Sequence, residues 1–175
     1  MTKARQTATI RWSSAYAFRP ILNTTLRSYD GAGNAIQNLT IIGKVLEYCK
    51  LWDNNREVSA GLFAFYGGEE LKNIILEDLV LSGCSTASGE KSYHLGALAG
   101  FVWEKSSKGV LVENCHVYAS DPLTNPGSCR IEAVAGGANP ANGGLIGGIK
   151  AKNSASIIRN CSVSLSTLQG DKGYI

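Results

Sequence analysis

Among the acidic residues in the middle third of the chain, Glu69, Glu70, Glu77, Asp78, Glu104 and Glu113 are candidates for chemistry. Carboxylates are what acid–base chemistry on a glycosidic bond requires: one protonates the leaving oxygen and another activates water or attacks the sugar. A carbohydrate-active enzyme using Glu77, Asp78 or Glu113 is therefore one reading. Register weighs against it. In the later segments of the same type, the positions of Glu77 and Asp78 hold Tyr118 and Ala119, then Ser164 and Leu165, so no pair of carboxylates recurs. Solvated surface charge accounts for these residues more simply.

Nucleophilic and metal chemistry have less to work with. His94, in the loop before LGALAG, and His116, between Cys115 and Val117, are the only histidines, and neither has a nucleophile and an orienting residue at recognisable spacing. The five cysteines, Cys49, Cys84, Cys115, Cys129 and Cys161, form no CxxC pair. Zinc is not expected, and an odd number opposes a fully paired disulfide set, with one bridge among Cys49, Cys84 and Cys129 left open. The glycine runs GGEELKN and GGANPANGGLIGG lack a lysine followed by serine or threonine, so no phosphate loop is indicated. No catalytic, cofactor-binding or metal-binding residue is assigned. Four aromatics, Trp52, Tyr66, Trp103 and Tyr118, lie in or near loops, where they can stack on sugars or pack at the edge of a core.

Composition narrows the partners. Seventeen basic residues against fourteen acidic ones give a net charge of +3, and the basic residues are scattered, so nucleic acid is not implied. No apolar stretch reaches the roughly 18 residues of a membrane span. The opening MTKARQTATIRWSSAYAF has no continuous apolar core, so no signal peptide is expected. With 20 glycines and one methionine in 175 residues, the chain favours strands and tight turns over helix bundles.

The elements that would carry these side chains repeat. Aligning asparagines gives AIQNLTIIG around Asn38, ELKNIILEDLVLSG around Asn73, LVENCHVYAS around Asn114 and IIRNCSVSLS around Asn160. Two residues before each stand Ile36, Leu71, Val112 and Ile158; one after, Leu39, Ile74, Cys115 and Cys161; three after, Ile41, Leu76, Val117 and Val163. A second module, small residue, leucine, apolar residue, small residue, surrounds Leu62, Leu98 and Leu145. Before Asn38 stands LRSYDGAGNAIQNLTI instead, where Asp30, Gly31 and Gly33 supply turn chemistry.

In a strand, residues two apart share a face, yet the apolar residues flanking each asparagine are three apart. An asparagine in the left-handed backbone region restores both to one interior, which makes it a corner. Stacking such corners about 4.8 Å apart predicts an amide ladder through Asn38, Asn73, Asn114 and Asn160, with Leu62, Leu98 and Leu145 in a second column. The fold predicted is an all-β parallel β-helix, or β-solenoid, of about four coils with irregular loop insertions. Residues 1–24 would form an N-terminal cap or leading strand, 25–168 the solenoid and 169–175 a tail. A sandwich of four hairpins explains the strand lengths but not the recurring asparagine.

Laid side by side, GLFAFYGGEELKNIILEDLVLSG, GALAGFVWEKSSKGVLVENCHVYAS and GGLIGGIKAKNSASIIRNCSVS resemble the GLUG-motif repeats of large bacterial surface proteins, adhesin-like proteins and some secreted peptidases among them. LRSYDGAGNAIQNLTI is similar to the coil that often opens such arrays. The family has glycine where this chain has Ala64 and Ala99. The resemblance implies a parallel β-helix at the cell surface or outside the cell, a structural or adhesive module with no catalytic residues. Its partners would be a glycan or protein surface. A weakly covered C-terminal end adds end-to-end stacking into a filament as an alternative.

Overall fold

The computed structural model describes residues 2–13, 15–23, 25–42, 57–84, 92–103, 109–125, 127–133, 140–150 and 156–169. Cys49, Trp52, Glu104 and residues 170–175 lie outside them. None of the described residues is helical.

Three short strands lead: β1 (Thr2–Arg5), β2 (Ile10–Arg11) and β3 (Ile21–Asn23). The chain continues through β4 (Leu26–Asp30), β5 (Ala35–Gln37), β6 (Thr40–Ile42), β7 (Glu57–Ala60) and β8 (Phe63–Tyr66). The same succession follows in β9 (Glu70–Lys72), β10 (Ile75–Glu77), β11 (Val80–Cys84), β12 (Ser92–Leu95) and β13 (Ala99–Trp103). It recurs in β14 (Leu111–Glu113), β15 (His116–Tyr118), β16 (Arg130–Ala133), β17 (Pro140–Asn142) and β18 (Ile146–Lys150), and begins again with β19 (Ile157–Arg159), β20 (Ser162–Val163) and β21 (Thr167–Gln169).

Five sheets result. In the order the chain visits them they are sheet 1 (β1-β4-β9-β14-β19), sheet 2 (β2-β5-β10-β15-β20), sheet 3 (β6-β11-β16-β21), sheet 4 (β7-β12-β17) and sheet 5 (β3-β8-β13-β18). Every described pairing is parallel. Neighbours in a sheet therefore come from successive passes of the chain, an all-β parallel arrangement consistent with a β-helix.

The stretch LKNIILEDLVL shows why the sequence bends as it does. Leu71 points inward and Lys72 outward; Asn73, at φ 53°, breaks the alternation, so that Ile74 and Leu76 point inward again. Asp78, at φ 56°, does the same before Leu79 and Leu81. All five aliphatic residues are at most 1% exposed. Only glycine, asparagine and aspartate enter the left-handed region readily, which is why both bends carry one of these side chains.

Stacking passes converts these residues into rows. Tyr29, Leu71, Val112 and Ile158 stand opposite one another in sheet 1, Ile36, Leu76, Val117 and Val163 in sheet 2, and Ile41, Leu81, Ile131 and Leu168 in sheet 3. Fully burying each aliphatic side chain contributes about 1.5–3 kcal/mol, so the rows dominate the stability. Between sheets 4 and 5, Leu62, Leu98 and Leu145 stack through Phe63 N to Leu98 O (3.0 Å) and Leu98 N to Leu145 O (2.9 Å). That corner is tight: a Cβ on Gly96 would lie 2.4 Å from Ala99 O and 2.5 Å from Gly147 N. On the leading side, Trp12 and Phe18 pack edge to face at 5.2 Å against the same core.

The asparagine column differs from the expected one at its head. Asn73, Asn114 and Asn160 share the bend between sheets 1 and 2, at φ 53°, 52° and 52°, and Asn114 Nδ2 donates to Asn73 Oδ1 at 3.2 Å. Asn38 does not join them. Because Ile36 pairs with Leu76 and Gln37 with Glu77, Asn38 (φ 61°) falls in line with Asp78 at the next bend, its N–H donating to Glu77 O at 2.9 Å. The partner of Asn73 in the preceding pass is instead Asp30, whose Oδ1 accepts from Asn73 Nδ2 at 2.9 Å. Gly31 occupies the corner position itself, where a Cβ would sit 2.3 Å from Asn73 O.

Candidate functional site

Outward-facing side chains form rows of their own. Along sheet 1, Arg5, Asp30, Lys72, Glu113 and Arg159 are opposite one another in successive strands, so the charge alternates in sign from one pass to the next. Arg159 Nε reaches Glu113 Oε1 at 2.7 Å, and Lys72 Nζ turns to Glu70 Oε2 at 3.3 Å. A hydrogen bond from Asn73 holds the Asp30 carboxyl below its usual range, helped by Ala32 N–H and the charges of Lys72 and Arg5 against a smaller desolvation effect. Beside this row runs a groove of about 310 Å³ lined by Lys3, Arg27, Ser28, Glu69, Glu70, Gly109, Val110, Leu111 and Ile157. Its carboxylates are engaged: Glu69 with Arg27 Nε at 2.6 Å, Glu70 with Ser28 Oγ at 2.9 Å.

The sequence-proposed acids thus separate. Glu69, Glu70 and Glu113 belong to sheet 1 and its approach, and Glu77 to sheet 2, where it accepts from Gln37 and, at 2.8 Å, from the Tyr118 hydroxyl. Asp78 stands at the bend into sheet 3. Among the described residues the carboxyls with displaced pKa values, Asp30, Asp78 and Asp121, all move down, opposite to the direction a general acid needs.

Asp78 anchors a loop. Its Oδ1 accepts from Ser120 N at 2.9 Å and Ser128 Oγ at 2.7 Å, and its Oδ2 accepts from Ser120 Oγ. Burial pushes this carboxyl up, and the serine hydrogen bonds more than reverse the effect, leaving it below its ordinary value. Between the two serines, Asp121 Oδ1 accepts from Leu123 N at 3.2 Å and Thr124 N at 3.1 Å, folding the loop on itself. The tip presents Leu123 at 91% exposure. Beneath lies a cleft of about 240 Å³ lined by Asn38, Thr40, Asp78, Val80, Asn125, Gly127, Ser128 and Arg130.

A depressed carboxyl stabilises above its unfolded pKa, here 3.8, and that contribution is lost as the pH falls through the lower folded value. Acidification through this window is expected to free the loop from its anchor. Proteolytic cleavage within 120–128 should rise steeply with acid in the native chain, while Asp78→Asn should cleave faster at neutral pH with a much flatter acid dependence.

The aromatics do not form one stacking face. Tyr66 is fully buried, and its hydroxyl, bonded to Glu70 O at 2.7 Å and Arg27 O at 3.0 Å, serves the core rather than a ligand. Its burial follows from sheet 5, where β8 lies between β3 and β13. Trp103 ends β13 in sheet 5, with Lys150 Nζ 5.6 Å from its ring centroid, whereas Tyr118 lies in sheet 2. Trp52 is outside the described residues.

His94 belongs to β12 rather than to a loop, 4.7 Å from the Phe101 ring, because Ser92–Leu95 pairs with both β7 and β17. His116 faces outward, with Nδ1 2.8 Å from Ser162 Oγ. Cys115, Cys129 and Cys161 are free thiols, so Cys129 takes no part in the bridge left open by the sequence. Burial pushes the Cys115 thiol up to about 12, which keeps it protonated and unreactive. Among the described residues no group of three or more His, Cys, Asp or Glu side chains is placed to hold a metal ion.

Sequence reasoning missed the anchoring of the 120–128 loop on Asp78 and the alternating charge row. The first had a signal: Leu76 and Leu79 flank Glu77–Asp78 three apart, the same spacing that marks Asn73. Asn142 was also missed; it occupies the row of Ala60 and Leu95, 8% exposed, with no hydrogen-bond partner for its amide. No family model matches the chain, and neither a curated protein nor a solved structure does.

Proposed function

We propose that the chain is a β-solenoid of about four coils that works as a rigid, non-catalytic scaffold presenting loops for binding. The observation that carries this reading is the 120–128 loop: anchored at both ends to Asp78, folded internally by Asp121 and ending in a leucine open to solvent. A loop held this way loses little conformational freedom on docking, and a rigid apolar tip rimmed by polar groups suits contact with another surface. The GLUG-like modules add the setting, an adhesive protein at the cell surface or outside the cell, with a protein or glycan surface as partner.

The test is a matrix-protein and glycan binding screen comparing the native chain with Leu123→Asp, which changes only the tip. Binding that falls at least tenfold in the variant, with an unchanged circular-dichroism spectrum, supports the reading. Binding at background for the native chain, or equal binding by both, refutes it.

A further inference from the structure

The cleft at the bend from sheet 2 into sheet 3 is built from two columns of side chains. The bend column holds Asn38 and Asp78 and is continued by Ser128, which donates to Asp78 Oδ1 at 2.7 Å. The strand column holds Thr40, Val80 and Arg130, directly opposite one another in β6, β11 and β16. Because their neighbours Ile41, Leu81 and Ile131 fill the interior, this column faces outward. Asn125 and Gly127 bring the 120–128 loop against the same space of about 240 Å³.

The charges lining this space are already matched. Asp78 accepts from Ser120 and Ser128, while Arg130 donates to Gly127 O and pairs with Glu132 Oε2 at 3.3 Å. An ion entering here would give up hydration without meeting an uncompensated charge, which is costly. The uncommitted groups are neutral. Among the described residues the side-chain amides of Asn38 and Asn125 have no hydrogen-bond partner, and the Thr40 hydroxyl has only Asn38 O, at a long 3.5 Å. An amide offers a donor and an acceptor side by side, which complements hydroxyl groups that also do both.

Val80 supplies the apolar centre. It is half-buried, with Thr40 on one side and Arg130 on the other, each one strand spacing of about 4.8 Å away. The polar flanks therefore stand about 10 Å apart across an aliphatic floor. The volume falls below the roughly 300–1,000 Å³ of sites for drug-sized ligands, so it suits one small ring. A ring with an apolar C–H face and hydroxyls around its edge fits both the floor and the flanks.

We propose that this cleft binds one neutral pyranose unit, its C–H face on Val80 and its hydroxyls on the Asn38 and Asn125 amides and the Thr40 hydroxyl. The inference rests on the reading of the chain as a binding scaffold and gives that scaffold a ligand class, at a site whose lining does not include Leu123.

The test is a titration of the 15N-labelled native chain with the methyl α-pyranosides of glucose, galactose and mannose. Sodium glucuronate and glucosamine hydrochloride serve as the charged probes. At least one neutral glycoside is expected to shift the backbone amide signals of Thr40, Val80 and Arg130, with a Kd on the order of 1 mM. Each charged probe should bind at least about threefold more weakly than that glycoside. Asn38→Gly keeps the backbone angle of φ 61° and removes the amide, and Asn125→Ala leaves the backbone bonds to Asp121 and Ser128 in place, so both variants retain the fold. Each should weaken binding roughly three- to tenfold, the loss of one hydrogen bond. No shift with any neutral glycoside, native affinity in both variants, or a charged probe binding as tightly as the best neutral one would overturn the proposal. No macromolecular partner is present in the titration, so its outcome is separate from that of the Leu123→Asp screen.

Discussion

Leu76→Ala lowers the unfolding free energy by about 2–5 kcal/mol, whereas Val163→Ala in the same row costs less than about 1 kcal/mol. The two positions have equivalent registers and opposite surroundings. Leu76 is 1% exposed between Ile36 and Val117, and the strands on either side are held by parallel backbone ladders, so the space left by truncation cannot close. Val163 is 39% exposed, with solvent already on one flank. Against the 5–15 kcal/mol typical of a domain, the first substitution removes a large share of the stability and the second very little. Urea denaturation of both variants at one pH and salt concentration measures the difference. Equal losses would mean that the row is not one continuous core.

Asn114→Ala is expected to destabilise by about 2–3 kcal/mol, and Asn114→Gly by only about 1 kcal/mol. Alanine at φ 52° carries the left-handed penalty that asparagine tolerates, and it also leaves Asn73 Oδ1 without its 3.2 Å donor. Glycine gives up the amide but accepts the backbone angle. The expected order is the reverse of that at an ordinary strand position, where glycine is the worse substitution. Denaturation midpoints for the pair decide it: alanine equal to or better than glycine would show that the corner does not depend on its backbone angle.

These corners also show how far the chain could be read without coordinates. The left-handed asparagines were legible because apolar residues three apart have few other ways to share an interior. Which bend each one makes was not. Asn38–Leu39–Thr40–Ile41 and Asn73–Ile74–Ile75–Leu76 have the same local pattern, but the first follows sheet 2 and the second follows sheet 1. Only the pairing of Ile36 with Leu76 separates them, and that pairing follows from the additional turn residues Ala32 and Gly33, both at positive φ, which lengthen the first pass by two.

The exterior was less legible for a different reason. Nothing in the local sequence of Arg159 announces Glu113, the carboxylate it reaches, because that partner lies a whole pass away along the chain. The loop at 120–128 was visible only as an insertion; that Ser120 and Ser128 return to one carboxylate depends on where Asp78 bends. For Tyr66 the sequence left stacking and core packing both open, and the second holds: its hydroxyl finds its acceptors in the backbone of the strand that follows and of the pass before.

The backbone hydrogen bonds that join one pass to the next run along the stacking direction rather than around it, which bears on how the molecule would carry a load. Tension applied at its two ends pulls those bonds open a turn at a time, as a spring is drawn out, whereas sideways bending is resisted by five sheets at once. The fold is therefore stiff as a beam and yields as a thread.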